Sequence, residues 1–334
     1  MFCYDEEVLL FFAALAGGLG VLIWSSDRFV FGASGTAHAL GMSPLLIGML
    51  VVGFGTSAPE MIISAISALD GAPGIALGNA WGSNIANVGL ILGISALVKP
   101  VRVRSSILRV ELPILAGATA LAATQVLNGV ISQLEGLLLL FAMAAFLWWS
   151  VLTARRSGRG DPLETALADS SAEEPARGAG LRQSIIWLLL GLLLLVASSR
   201  VMVWGAVGLA TAAGVSELVI GLTIIAVGTS LPELASTVAA VRRGEDDIAV
   251  GNVLGSNMFN TLAVVGIAAI IQPVTVEPVG LTRDLPVMAV MTLALFAMGF
   301  APRGRSGSIN RVEAGMLLFA YVGYTVWVGT SALG

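Results

Sequence analysis

Ten apolar runs, each long enough to cross a bilayer, decide what this chain can fold into. They cover residues 8–24, 41–69, 72–98, 108–126, 130–153, 183–203, 214–241, 247–271, 285–301 and 310–331. About 20 apolar residues suffice to span the hydrocarbon core. Composition agrees: 11% of the 334 residues are charged and 57% hydrophobic, with mean hydropathy +0.92. A soluble domain carries about one-quarter charged residues. Lipid offers the backbone no hydrogen-bond partners, so each span must be helical. The expected fold class is an all-α membrane protein of ten transmembrane helices. The second, third, seventh and eighth runs are interrupted by Gly, Pro and polar residues. Such broken helices are tolerated only at the centre, against protein or a wet cavity.

The first seven residues, MFCYDEE, hold no basic residue, so the first run reads as a mature span, not a secretory signal. Cys3 is the only cysteine, which excludes an internal disulfide. Loops after spans one, three, five, seven and nine carry 15 of the 17 Lys and Arg residues; only Arg200 and Arg283 fall on the other side. The positive-inside rule then places those loops in the cytoplasm and both termini outside.

The chain also repeats itself. Residues 53–73, GFGTSAPEMIISAISALDGAP, match 226–246, AVGTSLPELASTVAAVRRGED, and ALGNAWGSNIANVGLILG (76–93) matches AVGNVLGSNMFNTLAVVG (249–266). A single offset of 173 relates Thr56 to Thr229, Pro59 to Pro232, Glu60 to Glu233, Asn79 to Asn252, Ser83 to Ser256 and Asn87 to Asn260. It extends to Ser25 with Ser198, Gly48 with Gly221 and Pro100 with Pro273; after a shift of five, Glu135 matches Glu313. Five spans per half is an odd number, so the second half enters the membrane from the opposite side. Inverted repeats of this kind are common in secondary transporters, with the substrate site where the repeats meet. The expected organisation is a first five-helix repeat at 1–153 (motif 53–93), a solvated cytoplasmic linker at 154–181, and an inverted second repeat at 182–334 (motif 226–266).

Within each motif, proline removes the helical donor to the carbonyl four residues back, Gly55 for Pro59 and Gly228 for Pro232. A bound cation is one way to satisfy carbonyls freed in mid-membrane. Thr56 and Ser57 precede Glu60 by four and three residues, gathering their oxygens on one helical face; Thr229, Ser230 and Glu233 repeat this. In the next span Asn79, Ser83 and Asn87 form a polar stripe at intervals of four, repeated by Asn252, Ser256 and Asn260. The glycines at 78, 82, 251 and 255 form parallel stripes that permit close helix approach. This collection holds neither His nor Cys, and all-oxygen sets suit hard cations such as Ca²⁺ or Na⁺.

Plainer readings exist for each part. A lone proline kink or GxxxG is ordinarily structural, and serines and threonines often bond their own helix. Asn84 and Asn257, one residue off the stripes, read equally well as packing groups. A mid-membrane carboxylate is different: burying it costs at least about 2.5 kcal/mol, which marks it as functional. Two at equivalent positions of two repeats strengthen that reading. Glu135 and Glu313, at the starts of spans five and ten, read as helix caps, and Trp24, Trp148, Trp149, Trp187 and Trp327 as interfacial anchors.

GTS[AL]PE followed by GNxxGSNxxN, present twice, resembles the α-repeats of the sodium/calcium exchangers within the cation/calcium antiporter superfamily. The resemblance covers nearly the whole chain and implies one Ca²⁺ moved against several Na⁺ by alternating access, in a minimal prokaryotic member of the plasma (inner) membrane. It assigns Glu60 and Glu233 as central carboxylate ligands. Thr56, Ser57, Ser83, Thr229, Ser230 and Ser256 would flank them, and the carbonyls of Gly53 and Ala226 with the amides of Asn87 and Asn260 would complete the set. The GNxxGSN span lacks the extra acid of proton/calcium members, which favours Na⁺ as the coupling ion. Asn260 stands where potassium-dependent members have Asp, which argues against K⁺ co-transport.

The expected partners are Ca²⁺, Na⁺ and the bilayer, with no nucleic acid, no cofactor and a monomeric state. A proton/calcium antiporter is the alternative, and a cation channel could use the same ligands without obligatory countertransport. An intramembrane hydrolase would need a base beside a nucleophile; His38, the only histidine, has no such setting, so an enzyme is not expected.

Overall fold

The computed structural model describes residues 2–103, 107, 109–157, 180–213, 226–299 and 307–333. Helix α1 (Phe2–Leu40) leads into α2 (Pro44–Ile47), a π-helical turn at Gly48–Val52, and α3 (Gly53–Leu69). Next come α4 (Pro73–Ala86), a π turn at Asn87–Leu92, α5 (Gly93–Val98), β1 (Val101–Val103), α6 (Glu111–Gln125), β2 (Val130–Ile131) and α7 (Gln133–Ser157). The second half holds α8 (Leu181–Ala212), α9 (Ala226–Thr229), α10 (Leu231–Arg243) and α11 (Asp246–Met258). A π turn at Phe259–Val264, α12 (Val265–Ile271), β3 (Val274–Thr275), a π turn at Gly280–Asp284, α13 (Leu285–Gly299), β4 (Gly307–Ile309) and α14 (Arg311–Leu333) complete it.

Eight helical segments among the described residues are long and apolar enough to cross a membrane, against ten runs in the sequence. Of the other two runs, 108–126 holds the 15-residue α6, shorter than a full span. The run 214–241 lies partly outside the described residues, as do residues 158–179 of the expected linker; α7 carries helix into that linker as far as Ser157.

Helix α1 is far longer than the run at 8–24. The hydroxyls of Ser25, Ser26 and Thr36 donate back to the carbonyls of Leu22, Ile23 and Gly32 at 3.2, 2.8 and 2.7 Å. Polar residues that read as a loop therefore satisfy themselves inside the helix. Helix α8 does the same, with Ser198 and Ser199 donating to Leu195 and Val196. The two helices touch where glycine removes a side chain: Gly32 meets Ser184 and Leu188, Gly191 meets Phe29, and Gly205 meets Phe11. Partner numbers fall along α8 as they rise along α1, so α1 and α8 run antiparallel.

Two short ladders tie the halves together. Strand β1 pairs with β4, Val101 opposite Ile309, and β2 pairs with β3, Ile131 opposite Val274. These registers are equivalents under the repeat offsets. The helices before β1 and β3 also end alike, Lys99 at φ −151°, ψ 131° and Gln272 at φ −148°, ψ 133°.

The motif segments form the buried centre. Residues Asp247–Met258 of α11 are all buried, and Gly251 and Gly255 press against the carbonyls of Leu45 and Met49. Apolar side chains such as Phe141, Leu193 and Phe319 point outward, 72%, 66% and 82% exposed. An apolar exterior around a polar centre is the arrangement that a bilayer solvent demands.

Candidate cation site

Helices α3, α10 and α11 bring the two carboxylates to the centre. Glu60 and Glu233 are 1% and 3% exposed. Both carboxylate oxygens of Glu60 and Oε2 of Glu233 are buried without a hydrogen-bond partner. The remaining Glu233 oxygen, Oε1, accepts from the Ser57 hydroxyl at 3.3 Å.

The flanking residues gather around this pair. Thr56 and Ser57 are fully buried, with Thr56 Oγ1 3.1 Å from the Val52 carbonyl, 3.5 Å from that of Gly53 and 3.2 Å from Asn252 Oδ1. Ser83, Ser230 and Ser256 are buried, as are Asn87 and Asn260; Thr229 is half-buried. Three further oxygens have no donor: Ser256 Oγ, Asn87 Oδ1 and Asn260 Oδ1. Gly53 lies against the backbone of Gly255 and Ser256, where an added Cβ would sit 3.0 Å from the Ser256 nitrogen. Ala226 begins α9.

Pro59 and Pro232 differ in effect. Helix α3 runs through Pro59 unbroken, with the local irregularity displaced upstream to the π turn at Gly48–Val52. In the second motif the helix breaks at Ser230, φ −91° and ψ 7°, between α9 and α10. The expectation of a broken helix thus holds directly at Pro232; at Pro59 the missing donor is absorbed inside a continuous helix. Asn87 and Asn260 each lie in a π turn, an insertion that re-aims side chains and occurs often at functional sites.

Asparagines brace the centre. Asn252 Nδ2 donates to Ser236 Oγ (3.0 Å), Thr237 Oγ1 (2.8 Å) and the Glu233 carbonyl (3.3 Å), while its Oδ1 accepts from Thr56. It therefore locks α3, α10 and α11 around Glu233. Asn87 Nδ2 donates to Asn257 Oδ1 at 2.9 Å, and Asn84 Nδ2 to Thr261 Oγ1 at 2.8 Å. Asn84 and Asn257 are thus packing groups that join the repeats. The sequence reading passed over Thr237 and Thr261, although each follows a motif residue by four, Glu233 and Asn257 respectively. Ser132 and Asn310, in turn, exchange hydrogen bonds with Glu135 and Glu313, so those acids are caps.

Among the described residues no cluster of three His, Cys, Asp or Glu side chains could hold a metal. The centre instead offers two acids surrounded by neutral oxygens that lack donors, a set in search of positive charge. Fold and centre define a multi-pass integral membrane protein with a buried, oxygen-lined polar core. The chain belongs to the sodium/calcium exchanger protein family, whose model matches residues 10–152 and 183–330, and is an antiporter of the cation/calcium exchanger class.

Three relatives match over more than nine-tenths of the chain. The putative antiporter CaxA of Alkalimonas amylolytica is 45% identical over 92% of this chain and 95% of its own. The inner membrane protein YrbG of Escherichia coli is 40% identical over 96% of each. The sodium/calcium exchanger MaX1 of Methanosarcina acetivorans is 33% identical over 94% of this chain and 97% of its own. Among solved structures, the sodium-calcium exchanger NCX_Mj superposes with TM-score 0.80 at 30% identity, covering 98% of this chain and 100% of that one.

Proposed function

We propose that this protein exchanges Ca²⁺ for Na⁺ across a prokaryotic plasma membrane, by alternating access to one midplane site. Glu60 and Glu233 supply the formal charge. Thr56, Ser57, Ser83, Thr229, Ser230, Ser256, Asn87, Asn260 and the carbonyls of Gly53 and Ala226 supply neutral oxygens. The observation that carries this reading is the buried acid pair whose free oxygens have no donor. Two carboxylates neutralise one Ca²⁺ or take two Na⁺ in its place, so competition for shared oxygens couples the fluxes. Emptying the site leaves two neighbouring acids out of water, which is costly and discourages an unloaded carrier from turning over.

Ten spans in two inverted repeats, both termini outside, are part of the same proposal. The antiparallel course of α1 and α8 supports inversion, because these helices are repeat equivalents. The paired ladders, each joining one repeat to the other in equivalent registers, support it too. MaX1 and NCX_Mj both carry the name sodium/calcium exchanger, which favours Na⁺ as the coupling ion.

The test is flux in vesicles loaded with Na⁺ and diluted into Na⁺-free buffer containing Ca²⁺. Ca²⁺ should accumulate, stop when the Na⁺ gradient is collapsed, and gain nothing specific from K⁺. Acidification should slow uptake, because protons compete for the same carboxylate oxygens. Uptake driven by a pH gradient alone would assign the protein to proton/calcium exchange; uptake that follows membrane potential alone would make it a channel.

A further inference from the structure

We propose that two ion pairs, equivalent under the internal repeat but opposite in sign, form alternately as the carrier changes its facing. Asp27–Arg243 fastens one side of the membrane, and Arg200–Asp70 fastens the other. The proposal rests on the alternating-access reading above and names the positioning residues that govern it.

The first pair is formed. Arg243 Nη1 lies 2.6 Å from Asp27 Oδ1 and joins the end of α10 to α1; the guanidinium also sits over the Phe31 ring at 5.5 Å. The repeat offset of 173 carries position 27 to 200 and position 243 back to 70. Acid becomes base at the first position, and base becomes acid at the second. Charges with unrelated tasks have no reason to change sign together, whereas a pair that must stay complementary does.

Local structure is equivalent as well. Asp27 follows the back-bonded Ser25 and Ser26, and Arg200 follows the back-bonded Ser198 and Ser199. Asp70 and Arg243 each lie at a helix end, just before glycines of the same left-handed conformation, Gly71 at φ 83° and Gly244 at φ 78°. Yet Asp70 and Arg200 are both exposed and form no ion pair with each other.

The burial of the centre follows the same asymmetry. Thr56 and Asn252, on the side of the formed pair, are 0% and 1% exposed. Their repeat equivalents Thr229 and Asn79 are half-buried, and Gly78 is exposed. The structure is thus shut where its ion pair is made and more exposed where the equivalent pair is open. Arg200 is also one of two basic residues that the loop count leaves outside. The other, Arg283, is held by Asp284 at 2.6 Å; Asp70 is the counterpart proposed for Arg200.

Full-length protein in membrane vesicles tests this by exchange of charge. Arg200→Asp and Asp70→Arg should each slow Na⁺-driven Ca²⁺ uptake about five-fold, the scale of a partly exposed ion pair. The double variant Arg200→Asp/Asp70→Arg should recover to within about two-fold of the parent. A double variant no faster than the slower single overturns the pairing. Independently, in a Cys3→Ser background, Asp27→Cys/Arg243→Cys and Asp70→Cys/Arg200→Cys should both cross-link on oxidation. Each cross-link should arrest exchange until it is reduced. Cross-linking of the first pair alone overturns the proposal. If the parent shows no Na⁺-driven uptake, the assigned exchange fails, while the two cross-links still decide whether the pairs alternate.

Discussion

Glu60 and Glu233 occupy equivalent places yet meet different neighbours. Glu233 accepts from Ser57, and its backbone carbonyl is bound by Thr237 at 2.7 Å and Ser236 at 3.0 Å; both carboxylate oxygens of Glu60 stand alone. Replacing either acid by Gln removes half of the formal charge that the proposed site offers a divalent ion. Glu60→Gln and Glu233→Gln should each abolish Ca²⁺ uptake while the protein still inserts and folds, checked by vesicle flux beside size-exclusion chromatography. Either variant exchanging near the parent rate would remove that acid from the ligand set. The capping acids make the contrast. Glu135 Oε2 accepts from the Ser132 amide and hydroxyl, both at 2.7 Å, and Glu313 Oε2 from the Asn310 amide at 2.8 Å. Glu135→Gln and Glu313→Gln should keep transport and cost at most about 1 kcal/mol, since Gln also serves in a capping box; thermal unfolding in detergent measures the loss.

At the scale of elements, the centre depends on how closely α2 and α3 approach α11. A Cβ at Gly255 would lie 2.3 Å from the Met49 carbonyl oxygen, so no side-chain rotation relieves it; a helix must move. Gly255→Ala should destabilise by about 1–3 kcal/mol, as overpacking does, and lower the unfolding temperature. Gly315→Ala on α14, where nothing lies within 4 Å, should be neutral or slightly stabilising through helix propensity. Equal effects at the two positions would refute the close-approach argument. Spacing alone showed two glycine stripes but not which one is packed: Gly251 and Gly255 meet α2 and the turn after it, whereas nothing lies within 4 Å of a Cβ at Gly78 or Gly82. The π turns were not legible, because an extra residue in a helix is chosen by what the turn packs against, and the sequence around Asn87 and Asn260 carries no proline to mark the irregularity.

At the scale of the whole molecule, the proposed orientation rests on the distribution of basic residues. The thiol of Cys3 should react with an impermeant reagent added outside intact cells. A cysteine at Ser171, in a Cys3→Ser background, should react only after the membrane is opened. The reverse pattern would turn every loop assignment over. The proposed orientation also gives sense to Trp24 and Trp187, expected as interfacial anchors, whose ring centroids are 6.0 Å apart with Arg28 at 5.7 and 5.2 Å from them. Such amphipathic groups collect at the boundary between lipid and water.

Two properties were determined by the sequence itself, because each is set by local chemistry. Apolar run length required membrane helices, and the double motif placed two acids with hydroxyls on one face of equivalent helices. The cross-repeat bonds of Asn252, Asn87 and Asn84 could not be read there. Periodicity says which face a side chain occupies, not which distant helix supplies its partner. The same holds for helix length: Ser25, Ser26 and Thr36 extend α1 well past its apolar run because their hydroxyls find carbonyls within the helix. Only tertiary structure decided that Asp27 meets Arg243 while their repeat equivalents stay apart. A repeated sequence encodes two similar halves, and only their packing in three dimensions decides which side chains of each half meet a partner.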